Sequence, residues 1–351
     1  MAYTTIDKPS DYFNTVIWTG DGTSSRGITG VNFRPDFVWL KRRNTTGNQN
    51  VYDVIRGATT YLLTDTNQPE NTISDRLTSF DSDGFTVGNS GNTNASSSTY
   101  VAWNWLTDNT TGSSNTDGDI TSTVSANTTA GFSIVSFTGT AAAATVGHGL
   151  GAAPKMMLLK NRDDTSTSWV VYHETMGGTK YMSLDLTAAQ SAATNVMFNN
   201  TDPTSSVFSV RNSNRTNGSS DDMIAYCFAE KQGYSKIGSY KGNGNANGTF
   251  VYTGFKPAWI MLKEATNTSN WNMYDNQRSQ PNQASSQGIL RANLSSAEFT
   301  GSTALFVDFL SNGFKFRGNS VDTNRSGGTF IYLAFAESPF VSSSGIPTTA
   351  V

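Results

Sequence analysis

A single cysteine, Cys227, stands in 351 residues, which excludes an intrachain disulfide framework and a cysteine-based metal site. Histidine is nearly as scarce: His148 and His173 are the only two, too few for a histidine-rich catalytic or metal cluster. Charge is thin as well, 15% of residues where about a quarter is ordinary. A net charge of −3 leaves no basic surplus, so a nucleic-acid partner has no electrostatic support. No apolar run approaches the roughly 18 residues that a membrane-spanning helix needs. The opening MAYTTIDKPSDYFN has neither the basic nor the apolar region of a secretory signal peptide. The expectation is a soluble chain with no signal peptide, no membrane insertion, no cofactor and no bound metal.

Polarity comes instead from Ser, Thr, Asn and Gly. These residues serve turns, through side-chain bonds to the backbone or through positive φ, and suit short strands better than helices. The turns separate segments that recur. NFRPDFVWLK (32–41), LGAAPKMMLLK (150–160) and GFKPAWIMLK (254–263) place Pro35, Pro154 and Pro257 in register, with Lys41, Lys160 and Lys263 following. Upstream lie FNTVIWTG (13–20), FSIVSFTG (132–139) and YSKIGSYKG (234–242). Downstream come anchor tyrosines Tyr52, Tyr172 and Tyr274, the stretches DGFTVGNSGNTNAS, SVFSVRNSNRTNGS and NGFKFRGNSVDTNRS, and closing runs VAWNW, IAYCF and IYLAF.

Five matched segments in order mean three copies of one unit. Apolar alternation, short apolar runs headed by Pro, and Ser-Asp-Gly and Ser-Asn-Gly turns all read as strands. The fold expected is all-β: three tandem antiparallel β-sandwich domains with little helix. The boundaries are 1–106, a polar linker 107–130, then 131–231, 232–340 and a C-terminal arm 341–351. Short helical pieces are expected near 186–193 and 295–299. The five-residue joint AEKQG predicts stiff coupling of the second and third units, with the first on a longer tether.

Repetition acts as an internal control on chemistry. DSDG (81–84) lacks the spaced oxygen ligands of a calcium loop, and its sister stretches lose most carboxylates. GHGLG and GNGNANG are not followed by the helix that a phosphate loop requires. His173 gives way to Asp53 and Asp275 in the sister units and reads as an exposed loop histidine without a nucleophile beside it. Glu230 and Glu337, with Asp108 loosely corresponding, recur at strand ends, which suits salt bridges better than a glycosidase pair. The three lysines read as charges guarding strand ends or edges. Arg56 and Arg278 suit pairing with Asp53 and Asp275. Cys227 aligns with Asn104 and Ala334 and reads as a small filler. No catalytic residue is assigned. Trp169 and Trp271, after polar turns, are the candidate ligand contacts.

MAYTTIDKP, TAGFSIVSFTGT, VGHGLGAAPKMMLLKNRD, YSKIGSYKGNGNANGTFVYTGFKPAWIMLK and IYLAFAESPFVSSSGIPTTAV together resemble a family of tailed-phage virion proteins, common in marine and cyanobacterial phages, that carry tandem copies of a β domain. The resemblance covers essentially the whole chain. It implies a non-enzymatic virion structural protein, made in the host cytoplasm. A tail-fibre or fibre-like component for host attachment is the role it points to. The partners then expected are other virion proteins of tail or capsid, further copies in a homotrimer, and host cell-surface glycan. The competing readings are a capsid decoration or head-fibre protein and, more remotely, a polysaccharide depolymerase.

Overall fold

In each repeat the recurring segments become the strands of one antiparallel sheet. A computed structural model describes residues 4–193, 196–278, 282–283 and 287–339. The opening strands are Phe13–Thr19, Phe132–Thr138 and Ser235–Lys241. Each pairs with a closing strand, Thr99–Trp105, Asp222–Phe228 or Thr329–Pro339. The closing strand pairs in turn with a central strand, Phe37–Arg42, Met156–Asn161 or Phe255–Glu264. The anchor strand that carries the tyrosine follows. The order opening–closing–central–anchor is the same three times. Pro35 and Pro154 precede their central strands, while Pro257 sits at a register shift within its own, both places where the missing N–H breaks no ladder.

The closing, central and anchor strands are buried on both faces along most of their length, which is why they read as apolar runs rather than alternations. In the first repeat Val38, Leu40, Tyr52, Tyr100 and Ala102 point outward onto a small sheet of Arg26–Thr29, Leu77–Asp81 and Gly84–Val87. The second and third repeats cover their outer faces in the same way, with Val207–Val210 and with Gly313–Phe316. Each repeat is therefore a sandwich, and Cys227 lies fully buried in the outer core of the second.

The inner faces meet one another. Phe13, Phe37, Trp39, Trp103 and Trp105 of the first repeat share one core with Phe132, Met156, Tyr226 and Phe228 of the second and Trp259, Leu333 and Phe335 of the third. Ring contacts cross all three boundaries: Phe37 to Phe132, Phe228 to Phe335, and Trp105 to Trp259. The accessible surface is 12264 Å². A single compact chain of this mass would expose about 14000 Å², and three separate thirds about 19000 Å². The repeats are one body around a common core, not beads on a string.

Three expectations are corrected here. Residues 107–130 are no free tether, because Ser113–Asn115 and Ser122–Asn127 form strands that extend the second repeat's sheet beyond its opening strand. The first repeat does not hang apart, since its inner aromatics fill the shared core. The helical guesses at 186–193 and 295–299 contain only the two-residue strands Ser191–Ala192 and Phe299–Thr300. Among the described residues the α-helical turns are Asn214–Asn217 and Val321–Asn324, each capped by a serine. The arm at 341–351 lies outside the described residues.

A locking turn closes one end of each sheet. Asn94, Asn217 and Asn324 are fully buried and bind the loop that leaves the opening strand. That loop begins at Gly20, Gly139 or Gly242, where a Cβ would lie 2.1, 2.0 or 2.2 Å from a carbonyl oxygen. Only glycine fits so close to backbone.

Candidate functional site

The charged and polar residues that recur in the sequence gather at the joints between repeats. Each central strand ends on its inner face with a lysine, and all three are fully buried. Lys41 donates to the Ser295 carbonyl across the third–first joint, and Lys263 to the Thr187 carbonyl across the second–third joint. Lys160 donates to the Asn161 carbonyl. Burial lowers each of these amines to about 8. The lysines are not edge guards: their strands lie between two others, and Lys41 and Lys263 tie repeat to repeat.

The candidate ligand contacts Trp169 and Trp271 are 0% and 1% exposed. Trp169 Nε1 donates to the Leu63 carbonyl of the first repeat at 2.8 Å, and Trp271 Nε1 to the Ser183 carbonyl of the second at 2.9 Å. Gln49 stands at the equivalent place in the first repeat and donates to the Arg291 carbonyl of the third at 2.8 Å. Backbone bonds repeat the cycle, from Glu70 to Arg162, from Gln190 to Ala265 and from Glu298 to Arg43. First to second, second to third, third to first: the contacts are head-to-tail and they close. Neither tryptophan offers a face to a ligand, because each is part of this closure.

Two joints are ionic. At the first–second joint Arg56 Nε meets Asp53 Oδ2 at 2.5 Å, with both side chains fully buried. Tyr226 of the second repeat donates to the same carboxylate at 2.7 Å, and Arg162 binds Glu70 at 2.8 Å. At the third–first joint Arg278, Asp275, Glu298 and Arg43 repeat the set, and Trp103 Nε1 replaces the tyrosine hydroxyl. Burial pulls the Arg56 guanidinium down, but the negative charges of Asp53 and Glu70 outweigh it and raise it above its ordinary value. The expected Asp–Arg pairs are present, each within its own repeat, and each aspartate accepts a hydrogen bond from the neighbouring repeat.

At the second–third joint the equivalent positions are neutral. His173, Met176, Gln190, Ala265 and Leu333 occupy the positions of Asp, Arg, Glu, Arg and the aromatic donor. His173 is fully buried, contrary to the exposed loop residue expected from sequence. Its Nδ1 accepts from Thr175 N at 3.1 Å and its Nε2 lies 3.4 Å from the Tyr332 carbonyl. That pattern fits a neutral imidazole with the proton on Nε2. Burial lowers it to about 4. His148 is also buried, held between Leu150 N and the Thr204 carbonyl.

The remaining strand-end acids form ion pairs. Glu230 binds Lys155 and Lys236, and Glu337 binds Lys256. Asp108 accepts from Ser125 and Thr110. Among the described residues no group of three His, Cys, Asp or Glu side chains is placed to hold a metal ion. The inter-repeat role of these residues could not be found from the sequence, although the concerted change at 173, 176, 190, 265 and 333 is visible once the repeats are aligned.

Residues 8–339 match a family described as a domain of unknown function, DUF7483, and the chain belongs to that family. The match runs through all three repeats as one stretch. No curated protein matches the chain.

Proposed function

We propose that this member of the family is a non-enzymatic structural protein of a virion, a fibre-like component that meets the host surface through its loops. The observation that carries this reading is the ring of repeats itself. Its buried ionic groups hold one repeat to the next, a rigid scaffold that leaves polar loops outside. Loops 21–25 and 243–247, rich in Ser, Thr, Asn and Gly, are exposed beside the locking turns. Such loops present hydrogen-bonding groups to a glycan while the scaffold limits the entropy lost on binding. Low charge and the resemblance to tailed-phage virion proteins support the same reading.

The compact body refines the role. Three repeats sharing one core make a knob or a junction, not a shaft. The threefold arrangement is closed within one chain, so burial of the core needs no second copy. The same compactness favours a second reading, a decoration on the capsid. Antibody labelling of intact particles separates the two: signal at tail or fibre tips supports the first, and signal over the head replaces it with the second. Adhesion is tested by binding of purified protein to host cells, and absence of binding by folded protein removes the attachment role.

A further inference from the structure

Beside each anchor strand runs a short strand pair, and the three pairs differ in where they carry an aromatic ring. Tyr61 faces Asn71 in the first repeat, Tyr181 faces Ser191 in the second, and Ile289 faces Phe299 in the third. Both tyrosines pack on the outer cores of their repeats. An arginine lies over each ring, Arg76 at 4.0 Å from the Tyr61 centroid and Arg215 at 4.9 Å from that of Tyr181. Ile289 joins the third repeat's outer core in the same way but carries no ring. A hollow of about 270 Å³ opens beside it, with Arg291, Leu294, Ala297 and Phe299 among its walls.

The arginine at this hollow is a second, separate observation. Arg291 reaches it from a place in the chain that corresponds to neither Arg76 nor Arg215. Its Nε donates to Asn272 Oδ1 at 3.3 Å, as Arg76 Nη1 donates to Asn50 Oδ1 at 2.8 Å. Asn50 and Asn272 are equivalent on their anchor strands. An arginine therefore stands at all three sites, yet among the described residues no aromatic ring lies under Arg291. The walls are fixed in advance. The Ser295 carbonyl accepts from Lys41 Nζ and Gly47 N, and Glu298, which also lines the hollow, holds Arg43 and Arg278. Arg291 itself is paired with Asp322 at 3.2 Å, so neither charged side chain of the wall is left to draw an ion.

We propose that this hollow receives one aromatic ring, a tyrosine side chain presented by another protein. The sister repeats show the ring that fits: a tyrosine set under an arginine and against the outer core. A guanidinium attracts the face of such a ring without needing a charge on it. Phe299, directly opposite Ile289 and 53% exposed, adds an aromatic wall that Asn71 and Ser191 do not supply, and ring pairs gain beyond their buried area. The volume lies just under the roughly 300 Å³ at which ligand pockets begin, room for a single ring and its linkage. Because the walls are preformed, little is lost in ordering them when the ring enters. The site stands whether the chain serves tail or capsid.

The test is saturation-transfer NMR of the full chain with N-acetyl-tyrosinamide, para-cresol and the saturated ring methylcyclohexanol. Both aromatics are expected to bind, and the saturated ring to bind about two- to fivefold more weakly, the worth of an exposed cation–π contact. Ile289→Tyr copies the sister repeats and is expected to abolish binding by filling the hollow. Phe299→Ser copies the second repeat at a half-exposed position, so the fold is kept, and is expected to weaken binding about threefold. No signal from either aromatic, or equal binding of methylcyclohexanol, overturns the site. Binding that persists in folded Ile289→Tyr overturns it as well. Should that variant not fold, unchanged binding to Phe299→Ser overturns it instead. Binding of para-cresol without N-acetyl-tyrosinamide overturns the assignment to a protein side chain.

Discussion

Trp103 Nε1 donates to Asp275 Oδ2 at 2.9 Å, and this bond joins the first repeat to the third, closing a ring between residues 172 apart in sequence. The same carboxylate neutralises Arg278, whose side chain is fully buried. Removing it leaves a buried cation with only Glu298 for company. Asp275→Ala is expected to cost about 3–5 kcal/mol, read as a lower urea midpoint with an unchanged slope. Asp275→His with Arg278→Met, the pair found at 173 and 176, should recover a substantial part of that loss. If the double variant is no better than the single one, the neutral joint is not an interchangeable solution.

His173 makes stability depend on pH. The folded imidazole titrates at about 4, below its ordinary value of about 6.5. Between these values the unfolded chain binds the extra proton, so stability is complete above 6.5 and falls as pH drops toward 4. The loss from this group is about 3 kcal/mol by linkage. The difference between wild type and His173→Gln, followed by urea unfolding at pH 7 and pH 4.5, should therefore narrow in acid. A constant difference would place the proton elsewhere.

Gly139→Ala puts a methyl group 2.0 Å from the Gly218 carbonyl. The locking turn must shift or open, and a cost of about 2–3 kcal/mol is expected by the usual penalty for overpacking. Gly27→Ala is the control, because nothing lies within 4 Å of its Cβ position. Thermal melts of both variants read the contrast.

The shared core predicts a single unfolding event. Calorimetric and van't Hoff enthalpies should agree for the whole chain, where three independent sandwiches would give a ratio near three. A fragment beginning at residue 131 should bind a hydrophobic dye, because Phe132, Tyr226, Trp259 and Phe335 lose the aromatics that cover them.

The strands and the threefold repetition were legible because turn residues punctuate apolar runs in the same order three times. The meeting of the inner faces was not. A strand buried on both sides looks the same whether its second face packs on its own sandwich or on a neighbour, so FVWLK and WIMLK carry no sign of the shared core. The stretch 107–130 misled because its strands are built from Ser and Thr, whose composition matches a linker. Trp169 and Trp271 misled for a related reason: a polar turn beside a tryptophan suggests exposure, but both turns lie against another repeat. The buried lysines read as edge residues because sequence does not show which carbonyls a distant loop will bring.

Covalent linkage changes what selection can do with such a ring. In an assembly of identical subunits a substitution appears at every joint at once, so a change that helps one contact must be tolerated in all. Here each joint is encoded separately. The second–third joint could exchange its ions for His173 and Met176, while the other two keep Asp53 with Arg56 and Asp275 with Arg278 and differ in the neighbour's donor, Tyr226 in one and Trp103 in the other. The three copies hold one geometry, and their differences are free to specialise.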